Sequence, residues 1–365
     1  MWAIPEGRLF FCNEPVVEVT APLIEAQVVE TLLINQVNFQ SLVATKASRC
    51  MAAAQGKTVI DFGFRRAHGI DAGIQGARAC FIVGFEGTSN LEAARLYGIL
   101  PVGTMAHSFV TCFEQEVEAF RAYARTFPRR SIFLIDTYDT LAGARKAVQV
   151  AKELAAQGHA LVGVRLDSGD LGSLAWGVRR LLDEAGFPSV RIVASGGLDE
   201  YEIEDLLRQG APIDVFAVGT KVLVAGDGPW SDMAYKLVKY QGRPVLKLSP
   251  GKATLPEAKQ VFRLYDGLGM AERDVIALRE EKVEGGEPLL VPVMERGRRV
   301  APGPSLREIR DLFQREFARL RPEYKVLRNP PLYPVELSPR LEALAQELGE
   351  ALTLTEVKGR GLGEG

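Results

Sequence analysis

The sequence is poor in the residues that bind metals or form disulfides. Its 365 residues include three histidines and four cysteines, and the cysteines are far apart, without a Cys-x-x-Cys pair. This spacing excludes a zinc knuckle and gives no sign of a disulfide framework. A reduced, cytoplasmic protein is therefore expected.

Long apolar runs and an excess of one charge are also missing. No apolar run approaches the ~18 residues of a membrane span, and residues 1–6 lack the basic and apolar regions of a signal peptide. The formal net charge of -2 gives no indication of a nucleic-acid partner. We therefore expect neither a membrane nor a nucleic acid as partner. The hydrophobic content of 47% is enough for a sizeable core.

Short apolar runs alternate with helical patterns in the middle of the chain. The runs are residues 58–62, 79–85, 100–104, 131–136, 162–166, 190–195 and 215–219. This alternation is typical of parallel strands joined by helices. The number of such units, seven, favours a barrel over an open sheet. The expected fold class is α/β: an irregular α/β barrel of parallel strands with a flanking open-faced α/β sandwich. The predicted domains are the barrel, 57–234, and the sandwich, 1–56 with 235–365.

The flanking domain is predicted from more scattered patterns. They are a helix from 22 to about 55, a hairpin over 235–248, a β pair of 289–293 with 298–300, a helix from 305 to about 320, a last helix from 338 and a disordered tail over 359–365. Ser305 and Glu308 have the spacing of a capping box, which marks the start of the helix at 305.

The turn after the run at 162–166 is the centre of the expected site. Asp167, Ser168 and Asp170 follow this run, and Arg165 lies inside it, where a charge is costly unless it is paired or meets a ligand. Side chains beyond the carboxyl ends of parallel strands share one rim, and that rim carries the chemistry of α/β barrels. The alternative is an ordinary polar turn in which Asp167 or Ser168 caps the next helix.

Two glycine-containing turns, 195–197 and 219–220, follow the last two runs. Glycine lets backbone N–H groups approach an anion closely, and late barrel strands often end in a phosphate site. Together with the carboxylates, these turns could hold a phosphorylated sugar, with Asp167 or Asp170 on ribose hydroxyls or Mg²⁺. His107 follows the run at 100–104 and would reach the same rim. We interpret it as catalytic, with a purely structural histidine as the alternative.

Several motifs occur in a fixed order along nearly the whole chain. Among them are Asp-Phe-Gly-Phe-Arg-Arg at 61–66, Phe-Glu-Gly-Thr-Ser-Asn at 85–90, Gly-Thr-Met-Ala-His-Ser at 103–108, Arg-Leu-Asp-Ser-Gly-Asp at 165–170, Ser-Gly-Gly-Leu-Asp-Glu at 195–200 and Val-Gly-Thr at 218–220. In this order they resemble the nicotinate phosphoribosyltransferase family. The resemblance implies transfer of phosphoribosyl from phosphoribosyl pyrophosphate to nicotinate in NAD biosynthesis, coupled to ATP hydrolysis. It also implies Mg²⁺, ATP as co-substrate and a cytoplasmic homodimer.

The resemblance further implies roles for single residues. His107, Asp167 and Arg165 would be catalytic, and ATP would phosphorylate His107. The substrate-binding residues would be Phe62, Arg65, Ser89, Asp170, Ser195, Gly196, Gly197, Gly219 and Thr220. Among them, Phe62 would stack on the pyridine ring, and the two glycine turns would hold the 5′-phosphate. No residue is assigned to a dedicated metal site.

Two other functions remain open at this point. One is nicotinamide phosphoribosyl transfer, which Ser89 disfavours because relatives that use the amide carry an aspartate there. The other is an inactive, ligand-binding remnant. Family members have a further N-terminal segment before the motif found here at 5–7, with an aromatic residue that stacks on the base across a dimer interface. This chain is expected to lack that segment.

Overall fold

The computed structural model describes residues 1–249 and 254–360. The chain divides into two compact units, Met1–Val37 with Asp232–Gly365 and Asn38–Ser231. Residues 38–56, which the sequence assigned to the sandwich, belong to the unit that contains the parallel sheet. Part of the predicted disordered tail, 361–365, lies outside the described residues.

The strands are short, apart from two in the unit that contains both chain termini. They are β1 (Trp2–Ala3), β2 (Val17–Glu18), β3 (Thr58–Asp61), β4 (Gly87–Thr88), β5 (Leu100–Pro101), β6 (Ile132–Leu134), β7 (Gly163–Leu166), β8 (Arg191–Ala194), β9 (Val215–Val218), β10 (Lys239–Tyr240), β11 (Arg243–Pro244), β12 (Lys259–Tyr265), β13 (Ala271–Leu278), β14 (Glu287–Pro288), β15 (Val291–Pro292), β16 (Met294–Glu295), β17 (Arg298–Arg299) and β18 (Val335–Leu337).

The helices connect the parallel strands and flank the other sheets. They are α1 (Leu23–Val28), α2 (Glu30–Ala53), α3 (Ile70–Ile82), α4 (Leu91–Tyr97), α5 (His107–Thr111), α6 (Glu116–Thr126), α7 (Thr140–Ala156), α8 (Leu171–Glu184), α9 (Glu200–Arg208), α10 (Thr220–Leu223), α11 (Leu306–Arg319) and α12 (Pro339–Arg360). Short 3₁₀ turns occur at Phe64–Arg66 and Pro322–Lys325. None of the helices in the described part of the chain has the length and apolarity that a bilayer crossing requires.

A curled sheet of parallel strands organises the unit Asn38–Ser231. Over the described residues it has seven strands in the order β5-β4-β3-β9-β8-β7-β6. The edge strands β5 and β6 follow each other in the chain, and within the described residues no ladder joins them. The sheet is therefore a barrel opened along one seam, and the predicted α/β fold class is confirmed.

The two faces of this sheet are covered differently. On the inner face Ile60, Val193 and Val215 form an apolar cluster, against which Phe62 packs. On the outer face Phe133 of β6 stacks on Phe120 of α6, with ring centroids 4.9 Å apart. Full burial of one such aromatic side chain contributes about 1.5–3 kcal/mol to folding. Alternation along each strand thus separates residues that face the inside of the barrel from residues that face the helices.

The prediction of a strand over 79–85 was wrong. Residues 79–82 are the last turn of α3, and the strand follows only at Gly87–Thr88. Ala79 and Cys80 are buried, so this end of the helix has no polar face. A short apolar run of this kind cannot be assigned to helix or strand by periodicity alone.

The unit with the chain termini contains an open-faced α/β sandwich. Its sheet has the order β14-β12-β13-β18, and Leu341 of α12 packs with Val261 and Ile276 from that sheet. The capping box before α11 is confirmed, since Ser305 and Glu308 exchange the two expected hydrogen bonds. The predicted pairing of 289–293 with 298–300 is found only at one end, where the Val300 N–H donates to the Val293 carbonyl oxygen at 3.1 Å. The strands themselves have other partners, because β17 pairs with β16 and β15 pairs with β1.

A buried cluster of charged side chains joins the two long strands of this unit. Arg263 of β12 donates to both carboxylate oxygens of Asp274 on β13, at 2.9 and 2.6 Å, and to Glu316 on α11 at 2.9 Å. Glu14 adds another carboxyl group beside Asp274. Burial, and then the hydrogen bond to Asp274, raise the pKa of Glu14 from 4.5 to about 9.

The protonation of Glu14 makes folding depend on pH. Because its pKa is higher in the folded chain, folding is accompanied by proton uptake between pH 4.5 and about 9. The contribution of Glu14 to stability is complete below that value and is lost as the pH rises to about 9.

Candidate active site

The residues of the candidate site occupy the inner face of the parallel sheet, at its carboxyl edge. Ile60, Ile132, Val193 and Ala217 face the inside of the barrel. Continuing the alternation past each strand end brings further residues to the same face: Phe62, Ser89, Thr104, Asp136, Arg165, Asp167, Ser195 and Gly219. The expectation of a common rim therefore agrees with the strand register.

Arg165 is the side chain that joins several of these turns. Its Nε donates to Ser195 Oγ at 2.8 Å, and its terminal nitrogens donate to Thr104 Oγ1 at 3.0 Å and Asp167 Oδ1 at 2.6 Å. The guanidinium also lies over the Phe62 ring, 5.2 Å from its centroid. A charge inside a strand is stabilised here by an ion pair, two hydroxyls and an aromatic face.

Asp167 is held in its ionised form. Burial raises its pKa, but the hydrogen bond from Ser195 and the charge of Arg165 lower it by more. The pKa of Asp167 therefore lies below its usual value. The side chain remains 24% exposed, so the carboxylate is still accessible from the rim. Neither Asp167 nor Ser168 caps the next helix, because Asp170 does so through Ser173.

His107 begins α5 and faces two carboxylates. Its Nε2 lies 3.8 Å from Asp167 Oδ2 and 4.0 Å from Asp136 Oδ1. The other ring nitrogen, Nδ1, lies 3.1 Å from Thr137 Oγ1. The imidazole is 45% exposed, whereas the Asp136 side chain is 1% exposed. This arrangement suits an accessible histidine that is oriented by its contact with Thr137 and has a buried and a partly exposed acid within 4.0 Å of its other ring nitrogen.

Asp136 was not among the predicted site residues. Its Oδ2 accepts from the Asp167 backbone N–H at 3.1 Å and from Ser168 Oγ at 2.5 Å. Its Oδ1 is buried and has no hydrogen-bond partner among the described residues. Thr104 was also missed. Both residues lie in rim turns that the sequence indicated, but the strand ends had to be known before their direction could be assigned.

The two glycine turns approach neighbouring backbone segments closely. Gly196 has a φ of +97°, and a Cβ there would lie 2.0 Å from the Asp167 carbonyl oxygen. A Cβ on Gly219 would lie 2.9 Å from the Phe62 carbonyl oxygen. Only glycine fits at Gly196, and the missing side chains leave the backbone of both turns accessible at the rim.

The remaining predicted residues are less closely connected to the cluster. Asp170 is exposed, and its carboxylate bonds Ser173. Arg65 is exposed in the 3₁₀ turn after β3, and Ser89 is half-buried after β4. Gly197 has a φ of +70° and open space around it, and Thr220 begins α10. Among the described residues, no group of three or more His, Cys, Asp or Glu could hold a metal ion alone.

Comparisons with known proteins agree with this architecture. A model of the nicotinate phosphoribosyltransferase (NAPRTase) family matches residues 58–252, and a model of the nicotinate phosphoribosyltransferase C-terminal domain matches 285–345. A nicotinate phosphoribosyltransferase of Mycobacterium tuberculosis is 48% identical over 343 residues, which cover 93% of this chain and 73% of that protein. The chain belongs to the nicotinate phosphoribosyltransferase family.

Two further members of the nicotinate phosphoribosyltransferase family extend the comparison. The Bacillus subtilis enzyme is 40% identical, with 92% of this chain and 74% of that protein covered. The crystal structure of human nicotinic acid phosphoribosyltransferase superposes with a TM-score of 0.85 at 32% identity, covering 95% of this chain and 82% of the human one. The family assignment therefore extends over both units of the chain, and it agrees with the predicted resemblance.

Proposed function

We propose that this chain transfers the phosphoribosyl group of phosphoribosyl pyrophosphate to nicotinate and releases nicotinate mononucleotide and pyrophosphate. The observation that carries the proposal is the position of Arg165, over the Phe62 ring and hydrogen-bonded to Asp167. Through Ser195 the same guanidinium reaches a glycine turn. An aromatic surface, a carboxylate and a glycine turn are thus joined by one side chain, and they suit a base, a ribose and a phosphate.

The base end of the site favours a substrate that carries a carboxylate. Phe62 offers a ring face for the pyridine. Each terminal nitrogen of Arg165 has a second N–H besides the one already bonded, so the guanidinium can also donate to a ligand. Ser89, on the same face of the sheet, is neutral and does not repel an anion. A charge-assisted hydrogen bond to nicotinate would contribute both affinity and orientation.

The phosphate end would be formed by the turns 195–197 and 219–220. Both turns follow parallel strands and present backbone at the rim beside α9 and α10. Successive backbone N–H groups in such turns form concavities that bind anions. The first N–H groups of α9 itself already bond the Asp199 side chain, so the turns and not the helix start would hold the phosphate. The glycines at 196 and 219 leave room for a phosphate oxygen to approach that backbone.

The transfer step needs little covalent help from the protein. The C1′–oxygen bond breaks, its electron pair leaves with pyrophosphate, and the lone pair of the pyridine nitrogen forms the new C1′–nitrogen bond. Positive charge develops on the ribose meanwhile. Asp167 is ionised at neutral pH because its pKa is lowered, and its negative charge would stabilise the ribose in this state.

Mg²⁺ fits this site as an ion carried by the substrate. Asp136 has a buried oxygen without a hydrogen-bond partner among the described residues, and Asp167 faces the same imidazole. Mg²⁺ commonly takes one or two protein carboxylates and completes its shell with phosphate oxygens and water. Asp136 and Asp167 would hold the ion. When bound, it would neutralise charge on the departing pyrophosphate.

ATP hydrolysis through His107 is the second part of the proposal. The two carboxylates near Nε2 favour a proton on that nitrogen, which leaves the lone pair on Nδ1. Nδ1 lies 3.1 Å from Thr137 Oγ1, so the Thr137 hydroxyl would have to release this lone pair first. The lone pair would then attack the γ-phosphorus of ATP, and the bond to the ADP oxygen would break with its electron pair on ADP. The acids would stabilise the positive charge that the ring gains. Hydrolysis of the phosphohistidine would then return the free imidazole.

A product assay tests the first part. The chain is incubated with phosphoribosyl pyrophosphate, Mg²⁺ and either nicotinate or nicotinamide, with and without ATP, and the products are separated by chromatography. We expect nicotinate mononucleotide and pyrophosphate in equal amounts, and much less product from nicotinamide. Preference for nicotinamide would instead support the amide-using alternative. Binding of both substrates without product would support an inactive remnant.

A pair of aspartate variants links the activity to the proposed site. Asp167→Asn keeps the shape but removes the charge, so turnover should fall by at least ~10²-fold. Asp183→Asn makes the same change on α8, where Asp183 pairs with Arg179, and should leave turnover unchanged. Equal activity of the two variants would contradict the role of Asp167.

A further inference from the structure

Asp61 ends β3 on the opposite face of the sheet from the proposed site. Its neighbours Ile60 and Phe62 face the inside of the barrel, so Asp61 points toward the helices. The side chain is 1% exposed. Asp61 therefore lies directly behind the base pocket and has no direct access to a substrate in it.

The Asp61 carboxylate connects the turn after β3 with the turn after β4. Oδ1 accepts from the Gly63 backbone N–H at 2.7 Å, and Oδ2 accepts from Thr88 Oγ1 at 2.6 Å. Thr88 Oγ1 in turn accepts from the Asn90 backbone N–H at 3.0 Å. The Asp61 carbonyl oxygen accepts from the Ser89 backbone N–H at 2.8 Å. These four hydrogen bonds form a strut between the residues that flank Phe62 and those that flank Ser89.

A carboxylate at this position is energetically costly. Within the described part of the chain, no cation forms an ion pair with Asp61. Burial raises its pKa, although the hydrogen bonds from Thr88 and Gly63 lower it in part. An uncharged side chain would avoid most of this desolvation cost. The pair of directed acceptor oxygens is what an amide cannot reproduce, since asparagine offers one acceptor and one donor group.

We propose that Asp61 is a positioning residue that sets the spacing between Phe62 and Ser89, and with it the affinity for the pyridine substrate. The proposal rests on the proposed function, because it assigns Phe62 and Ser89 to the base pocket. Within the described part of the chain, the side chains of Asp61 and Thr88 form no hydrogen bond with the turns at 195–197 and 219–220. Their replacement should therefore act more strongly on the base than on the phosphoribosyl donor.

Three substitutions test the strut. Asp61→Asn replaces the acceptor that Thr88 needs. Thr88→Val removes the hydroxyl at nearly constant volume, and Thr88→Ser restores it. The matched control is Asp214→Asn, because Asp214 also accepts a backbone N–H in this sheet, from Ile192 at 2.9 Å, but precedes β9 at the amino edge. Steady-state kinetics with each substrate varied, calorimetric binding of nicotinate and thermal unfolding are measured for all four.

The expected result is a split between the two substrates. Asp61→Asn and Thr88→Val should lower kcat/KM for nicotinate by roughly tenfold and weaken nicotinate binding, as expected when a pocket loses its supporting contacts. KM for phosphoribosyl pyrophosphate should change by less than about twofold, and Thr88→Ser should resemble the unmodified protein. If Asp61→Asn does not fold, the comparison of Thr88→Val with Thr88→Ser decides the outcome.

Three results would overturn the inference. They are equal changes in KM for both substrates, the same loss in Thr88→Ser as in Thr88→Val, and changes that follow thermal stability alone, as Asp214→Asn would reveal. Failure of the proposed function is seen separately, as absence of product from the unmodified protein. In that case the calorimetric affinities for nicotinate still distinguish the variants.

Discussion

Replacement of Arg165 by lysine tests the arrangement on which the proposed site depends. Arg165→Lys keeps the positive charge and the ion pair with Asp167, but a single ammonium group cannot also reach Ser195 and Thr104. Ser195 Oγ still has Asp167 as acceptor, and Thr104 Oγ1 still donates to the Met105 carbonyl oxygen at 3.2 Å. No buried hydroxyl is therefore left without a partner by this change.

Arg165→Lys should lower both the stability and the activity of the protein. Hydrogen bonds that involve a charged group contribute about 1.5–3 kcal/mol each, and loss of two at the lower end gives about 3 kcal/mol in the free energy of unfolding. The guanidinium contact with the Phe62 ring and the second N–H groups for the substrate are lost as well. We expect kcat/KM for nicotinate to fall by roughly 10²–10³-fold, equivalent to about 3–4 kcal/mol.

The assay combines urea unfolding with steady-state kinetics at a temperature where all variants are folded. The matched control is Arg121→Lys, because Arg121 bonds Glu118 and Glu153 on α6 and α7 and lies outside the candidate site. This control should lose little stability and no activity, since ion pairs in contact with solvent contribute little to stability. An Arg165→Lys variant within about threefold of the unmodified kcat/KM would refute the reasoning.

Three other substitutions test separate parts of the molecule. His107→Asn should fold and abolish ATP hydrolysis but retain slow ATP-independent transfer, because asparagine lacks the ring lone pair; full release of labelled phosphate by this variant would contradict the role. Ser89→Asp should raise KM for nicotinate, because the carboxylate of the new side chain repels the carboxylate of the substrate; unchanged kinetics with nicotinate and nicotinamide would refute this. Glu14→Gln should flatten the pH dependence of stability, since Glu14 costs the unmodified protein up to about 1.4 kcal/mol per pH unit between pH 4.5 and about 9. Urea unfolding at about pH 6 and about pH 8 measures it, and equal slopes in both proteins would count against the buried proton.

The general location of the candidate site could be predicted because parallel strands bring the residues beyond their carboxyl ends to one rim. Arg165 and Asp167 were identified from a charge inside an apolar run and acids just after it. His107 followed from the same rule. The sequence does not distinguish Asp136 from Asp139, since both are aspartates in the same turn. Only the bounds of β6 show that Asp136 continues the inner face of the sheet. Side-chain direction at a strand end depends on register, which the residue types alone do not determine.

The two longest strands were missed for a different physical reason. In β12 and β13 the interior contains Gln260, Arg263 and Asp274, all buried. A polar residue in a sequence normally indicates solvent exposure, but here Arg263 and Asp274 satisfy each other inside the sandwich. Arg263 also bonds Glu316, 53 residues away in the chain, and the alternation of residue types does not show that these polar positions belong to a core.

The most direct test of the central claim is a crystal structure of the chain with bound nicotinate mononucleotide. The account predicts difference density for the pyridine ring against Phe62, with its carboxylate beside Arg165 and the ribose beside Asp167. The 5′-phosphate should lie against the backbone of the turns 195–197 and 219–220. Density for the nucleotide elsewhere, or a pyridine ring that contacts neither Phe62 nor Arg165, would contradict the assignment of this rim as the site of phosphoribosyl transfer.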